Sequence, residues 1–258
     1  MRVTTVALRK MKQAGQLIPV LTCYDYTSAK ILDAAGLPVL LVGDSLGNVV
    51  LGLETTLPVT MDMMLHHCRA VARGSQNALL VFDMPFATYS PADLPRSLTN
   101  AARALAEGGA QAVKIEGGAH MAPVVETLVG SGIPVMAHIG LTPQSVHQLG
   151  GYRVQGRDDA AKEKLLADAV ALELAGAFAL VLELIPAELA AEITGKLKIP
   201  TIGIGAGKQC DGQVQVFHDV FGLYEDFVPK HAKRYAQLAA TIREATKAYI
   251  EDVKHGRV

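Results

Sequence analysis

The chain has 258 residues, with 24 Lys+Arg against 25 Asp+Glu; half its residues are hydrophobic and only 19% are charged. A disordered chain would be less apolar and carry more net charge, and a nucleic-acid binder would show a basic excess, so both classes are excluded. The three cysteines, Cys23, Cys68 and Cys210, are widely spaced and form no Cys-x-x-Cys, which argues against a disulfide framework and a thiolate zinc site.

The opening stretch, MRVTTVALRKMK, carries no apolar signal-peptide core. The most apolar stretch, 169–186, is interrupted by Glu173 and Glu183 and falls short of a membrane span. The expectation is a soluble cytoplasmic protein without a membrane or nucleic-acid partner. Eight short aliphatic runs then follow in order: 18–24, 39–43, 78–82, 112–115, 134–139, 178–182, 200–204 and 213–217. Most are continuously hydrophobic rather than alternating, as parallel strands covered on both faces are. Helical stretches fall between them at 27–35, 61–73, 92–107, 121–129, 159–174 and 187–196. Thr60 is placed to cap the second of these, and Gly108-Gly109 to stop the third.

Eight strands alternating with helices over this length predict a single-domain (β/α)₈ TIM barrel spanning residues 1–258, in preference to an open doubly wound sheet. No Gly-x-Gly-x-x-Gly follows the first strand. Residues 3–14 precede the repeat and are placed to plug the barrel floor. Residues 231–253 follow it as a helix with an apolar stripe of Tyr235, Leu238, Ile242, Ala245 and Tyr249. Such a stripe packs on its own domain more often than on a partner.

In barrels of this kind chemistry sits at the C-terminal ends of the strands. There the second run ends in Asp44 and Ser45, the third in Asp83, the fourth in Lys114 and Glu116, the fifth in His138 and the sixth in Glu183. Alternation along a strand puts Lys114 and Glu116 on one face and Val113 and Ile115 on the other, so the charged pair belongs inside. Taken singly, each residue also has a structural reading. A strand-end acid is often a helix cap, Lys114 can simply neutralise Glu116, and a lone His138 is commonly a hydrogen-bonded core residue. Five consecutive strands delivering ionisable tips to one rim is harder to explain that way. Converging acids repel unless a cation or proton sits among them. Asp44, Asp83 and Glu116 are hard oxygen donors of the kind Mg²⁺ uses, with positions left for water and substrate. Glu183 lies in the apolar sequence LVLELIPA and is the candidate base. A cation chelating a 2-oxo acid eases removal of the proton beside the ketone, and Lys114 and Ser45 are placed to hold the substrate's oxygens.

Other motifs are weaker. The segment containing Gly203, Gly205, Gly207 and Lys208 fails both the P-loop and the dinucleotide spacing and reads as a tight turn. His66 and His67 are adjacent on a helix and cannot share a face. No Gly-x-Ser-x-Gly elbow is present.

The stretches GDSLGNVVLG (43–52), TTLPVT (55–60), DMPF (83–86), VKIEGG (113–118), HIGLTPQ (138–144) and GIGAGKQCDGQVQV (203–216) resemble, in order and along essentially the whole chain, the ketopantoate hydroxymethyltransferase family. The resemblance implies a (β/α)₈ barrel with one Mg²⁺ per subunit. The implied reaction passes a hydroxymethyl group from the co-substrate 5,10-methylenetetrahydrofolate to 3-methyl-2-oxobutanoate, giving 2-dehydropantoate. It implies metal contacts from Asp44, Asp83 and Glu116, and substrate contacts from Asp44, Ser45, Asp83, Lys114 and His138. Glu183 becomes the proton acceptor, and homodecamers of pentameric rings are implied. The competing enzyme reading is a Mg²⁺-dependent lyase or mutase of the phosphoenolpyruvate mutase and isocitrate lyase type, although the chain lacks the Lys-Lys-Cys-Gly-His motif of the isocitrate lyases. A Schiff base at Lys114 is a third reading, and a ligand-binding barrel without activity a fourth.

Overall fold

The computed structural model describes every residue except Met1 and His231. The chain divides into two compact units, Met1–Val214 and Gln215–Val258. The first contains a closed parallel barrel whose strands neighbour one another in sequence order. They are β1 (Ile18–Thr22), β2 (Val39–Val42), β3 (Leu79–Asp83), β4 (Ala112–Glu116), β5 (Val135–Gly140), β6 (Ala179–Glu183), β7 (Thr201–Ile204) and β8 (Gly212–Gln215), which runs to the boundary of the unit. The (β/α)₈ expectation is therefore met, with each strand within about two residues of its predicted run. Helices Met61–Gly74, Asp159–Leu174 and Ala187–Lys196 also fall where the pattern placed them. Thr60 Oγ1 accepts the Met63 N–H, so it caps its helix as expected.

One stripe of each strand faces the barrel axis, and its chemistry changes from floor to rim. Ile18 and Val20, Val39 and Leu41, Leu79 and Val81, Ala112, Met136, Ala179 and Val181 form a buried apolar cluster with Leu8 of the N-terminal helix. Val3 and Met11 pack against it, so the N-terminal segment does close the floor. A strand repeats every two residues. The side chains on the same stripe one step beyond Val81, Ala112, Met136 and Val181 are therefore Asp83, Lys114, His138 and Glu183, and Glu116 lies one step beyond Lys114. Their placement on the inner rim follows from this parity.

The floor is tied by a second device. Asp33, at the end of helix Tyr26–Ala34, accepts the backbone N–H groups of Gln76, Asn77 and Ala78 and the Ser75 hydroxyl. Arg2 donates to the carbonyls of Ser75 and Ala78. One carboxylate thus satisfies the chain where it turns into β3.

The second unit contains helices Phe217–Val220 and Leu238–Lys254. Leu238 and Ala239 donate N–H bonds to the carbonyls of Phe221 and Gly222, and Arg243 makes a two-toothed pair with Glu225. The expected long helix begins at Leu238 rather than 231, and His231 lies outside the described residues. No residue of Leu238–Lys254 is buried, and Ile242 and Tyr249 of its apolar stripe are exposed. Among the described residues, no helix is long and apolar enough to cross a membrane.

Burial alone would raise the Asp33 carboxyl, but its N–H and hydroxyl donors bring it from 3.8 down to about 2. A carboxylate shifted this way stabilises the fold fully above its ordinary value, and the contribution disappears as pH falls through the folded value. The linkage amounts to about 2 kcal/mol. Asp33→Ala is expected to cost about 3 kcal/mol in urea unfolding at pH 7 because several buried donors lose their acceptor. The gap from the unmodified chain should narrow between pH 4 and pH 2; a gap that stays constant over that range contradicts this account.

Candidate active site

The ladder registers bring the rim residues into sequence around the barrel. Asp83 of β3 lies beside Lys114 of β4, and Glu116 beside His138 of β5. Lys114 Nζ sits 2.6 Å from Asp83 Oδ1 and 3.3 Å from Glu116 Oε1. His138 continues the line, its Nδ1 3.4 Å from Glu116 Oε1 and its Nε2 3.2 Å from Glu183 Oε2. Neither ring nitrogen makes an aligned hydrogen bond, so both are held at ion-pair distance rather than locked. Asp44 joins through its N–H, which donates to Asp83 Oδ2 at 3.2 Å. Acid, base, acid, imidazole and acid thus alternate along one buried arc.

Solvent exclusion sets the electrostatics. Asp44, Asp83, Lys114, Glu116 and His138 are all buried, while the Glu183 side chain retains 16% exposure. Burial, then the charges of Asp83 and Glu116, raises the Asp44 carboxyl well above its ordinary value. Burial raises Asp83 as well, against the pull of Lys114. Glu116 goes the other way: burial would raise it, but Lys114 and His138 bring it down to about 2. Burial and the positive Lys114 oppose charge on His138, yet Glu116 and Glu183 lift it to about 9. Lys114 is driven upward by Asp83, Glu116 and Asp44 in spite of its burial, so it is an ammonium. That condition disfavours the Schiff-base reading, which needs a neutral amine.

Three residues that the sequence did not single out complete the arrangement. Gln144 donates its backbone N–H to Glu116 Oε2 and its side-chain Nε2 to Asp44 Oδ2 and the Met84 carbonyl. Tyr89 Oη donates to Gln144 Oε1 at 2.7 Å and accepts the Glu116 N–H at 2.9 Å. Tyr24 Oη lies 2.9 Å from Ser45 Oγ. Tyr24 and Tyr89 stand beyond the ends of β1 and β3, and Gln144 stands on the short helical turn Pro143–Ser145 after β5. Tyr24 closes the predicted run 18–24 and Gln144 falls inside HIGLTPQ, but neither signal assigns a role. Ser45 is therefore beside Asp44 and paired with Tyr24, but it is not joined to Lys114.

Glu183 ends β6 in the apolar sequence LVLELIPA, and its carboxylate faces His138. The backbone here is tightly specified. Leu184 adopts a left-handed φ of 44°, with its N–H on the Ile204 carbonyl and its carbonyl accepting Gln155. A Cβ at Gly140, where φ is 94°, would collide with the Glu183 carbonyl, which accepts the Leu141 N–H. The segment 205–208 turns the chain out of β7, and the Gly207 carbonyl accepts from Gln213 Nε2. His67 binds the Tyr24 carbonyl.

The donor set suits a hard cation. Three buried carboxylates face one ammonium and one imidazole, and two of them are raised by burial and their neighbours. Among the described residues, no three His, Cys, Asp or Glu side chains stand at the spacing of an all-protein metal cage. Mg²⁺ characteristically takes one or two carboxylates and fills the rest with water and substrate oxygens, and one or two of these acids with open positions beside them are a donor set of that kind.

A family model described as Ketopantoate hydroxymethyltransferase matches residues 2–258. The 3-methyl-2-oxobutanoate hydroxymethyltransferase of Chloroflexus aurantiacus is 59% identical over 256 residues, covering 99% of this chain and 90% of the relative. The same enzyme from Dehalococcoides mccartyi is 58% identical over 258 residues, covering 99% and 91%. A crystal structure of phosphonopyruvate hydrolase, in complex with oxalate and Mg²⁺, superposes with a TM-score of 0.63 at 13% identity, covering 99% of this chain and 88% of that one. At that identity the likeness is one of fold.

Removing Lys114 leaves buried carboxylates without their cation. Lys114→Met is expected to destabilise the chain by about 3–5 kcal/mol at pH 7.5, measured by urea unfolding without divalent ions. At pH 5 the loss should be smaller, because Asp44 and Asp83 are already raised and take up protons more easily. A loss no larger than that of a surface lysine substitution rules out the buried-pair account.

Proposed function

The chain belongs to the ketopantoate hydroxymethyltransferase family, and from that premise we propose that it transfers a hydroxymethyl group from 5,10-methylenetetrahydrofolate to 3-methyl-2-oxobutanoate, giving 2-dehydropantoate. The observation that supports this most directly is the buried arc from Asp83 through Lys114, Glu116 and His138 to Glu183. It sets buried acids of the kind a hard cation uses next to a carboxylate that still reaches solvent.

In this reading Asp44, Asp83 and Glu116 would hold the Mg²⁺, directly or through its waters. The ion, when bound, supplies a Lewis acid that stabilises negative charge on the keto oxygen of the 2-oxo acid. The chain's own groups do the rest. Lys114 and Ser45 orient the substrate's oxygens, with Asp44 and Asp83 beside them. Glu183 takes the proton from C3, and C3 bonds to the methylene carbon carried by the folate as one of that carbon's two C–N bonds breaks and the freed nitrogen takes up a proton; water then replaces the second nitrogen, which takes the water's proton and leaves as tetrahydrofolate. Water supplies the hydroxyl oxygen. His138, lying against both Glu116 and Glu183, holds the base toward the substrate and offsets its negative charge. Homodecamers of pentameric rings are the further part of the proposal, supported by the family resemblance.

Glu183→Gln should lower C3 proton exchange of 3-methyl-2-oxobutanoate by at least about 10²–10⁴-fold, followed by NMR in D₂O, while calorimetry shows substrate still bound. Unchanged exchange removes Glu183 from the role. An assay for 2-dehydropantoate with the folate should lose its signal on chelation and regain it with Mg²⁺. Activity indifferent to chelator argues against the metal, and borohydride trapping of substrate on Lys114 against the whole scheme.

A further inference from the structure

We infer that Tyr89 and Gln144 are positioning residues: a one-way hydrogen-bond relay that fixes how the carboxylates of Asp44 and Glu116 are turned toward the cation. The inference rests on the proposed metal role of those acids and goes beyond it, because neither Tyr89 nor Gln144 touches the reacting atoms in that reading.

The direction of every proton in the relay follows from its partners. The Met84 carbonyl can only accept, so the Gln144 amide must turn its Nε2 toward it. The same Nε2 then donates to Asp44 Oδ2 at 3.0 Å. Gln144 Oε1 is left as an acceptor, so Tyr89 must be the donor across their 2.7 Å contact. With its proton committed, the Tyr89 oxygen accepts the Glu116 N–H at 2.9 Å. Gln144 closes the ring by giving its backbone N–H to Glu116 Oε2 at 3.1 Å. No member can be turned round without placing an acceptor against an acceptor.

The position of Tyr89 has a cause in the sheet. β3 stops at Asp83, and the Met84 N–H makes the last ladder bond, to the Lys114 carbonyl. Glu116, two residues further along β4, has no β3 carbonyl left to receive its N–H. The Tyr89 hydroxyl stands in for that missing carbonyl. The loop leaving β3 therefore returns one oxygen to the sheet, and that oxygen is coupled through Gln144 to Asp44, which follows β2. Two acids on separate strands are thereby set by one amide. Groups that orient metal ligands in this way typically change affinity 10- to 100-fold when removed.

The test is direct titration of Mn²⁺ by calorimetry, without substrate, on the unmodified chain, Tyr89→Phe and Gln144→Met. We expect the Mn²⁺ Kd to rise about 10-fold in Tyr89→Phe and up to about 100-fold in Gln144→Met. The Mg²⁺ concentration giving half-maximal turnover should rise in parallel, with kcat at saturating Mg²⁺ changed less than that concentration. Thermal unfolding of the cation-free chains reports folding separately. A folded Tyr89→Phe with Mn²⁺ affinity within twofold of the unmodified chain overturns the relay; if that variant does not fold, the Gln144→Met titration decides by the same criterion. An unmodified chain that binds no Mn²⁺ fails the metal reading and the relay together, whereas equal binding by all three chains fails the relay alone.

Discussion

Everything at the rim depends on one buried ammonium. Lys114 lies between Asp83 and Glu116, shielded from water, and its Coulombic reach extends to Asp44. Buried charges are expensive to desolvate, and such a cluster persists only where geometry and hydrogen bonds answer nearly every lone pair. The barrel supplies that geometry through strand parity. A single inward stripe is aliphatic at the floor, where it packs on Leu8, and ionic at the rim. The floor helps to keep the charged layer rigid, because an interior packed to native density does not let neighbouring strands slide.

The cluster is deliberately short of positive charge. Lys114 and a raised His138 answer some of the negative charge, while Asp44 and Asp83 are pushed upward by burial and by their neighbours. A stability-optimised core would replace these groups with aliphatics of similar volume. Their retention, together with the left-handed Leu184 just after Glu183, marks the rim as the place where the fold accepts local cost. The compensation lies elsewhere in the chain. Helices are capped by Thr4, Asp25, Thr60, Asp93 and Asp158, and Asp33 gathers the orphan donors at the entry to β3. These devices stabilise the scaffold without touching the chemistry.

The barrel was legible in the sequence because parallel strands buried on both faces leave continuous aliphatic runs, and eight such runs are hard to mistake. The inward direction of Lys114 and Glu116 was legible for the same reason, since period two leaves no third choice. The short helices after strand ends, such as Leu46–Val49 and Val146–Leu149, were not, because a single turn carries no amphipathic repeat. Tyr89, Gln144 and Tyr24 escaped notice because their roles are set by tertiary meeting points of separate loops. Glu183 is legible as the last residue of its strand, where the structure sets its carboxylate against His138.

The structural neighbour at 13% identity shows how little the architecture alone decides. Chains that share the path of a barrel can carry different activities, because the fold fixes only where side chains can converge. What separates one chemistry from another is which groups stand at each strand end and which loop atoms hold them. In this chain the ladder registers set Asp83 beside Lys114 and Glu116 beside His138, and the loops after β3 and β5 then constrain the carboxylates through Tyr89 and Gln144. The strands dictate which charges meet, and the loops dictate how the carboxylates are turned. A barrel with the same strand-end acids but different loop donors would gather the same charge and aim it differently, so the loop residues belong in any account of what this rim can do.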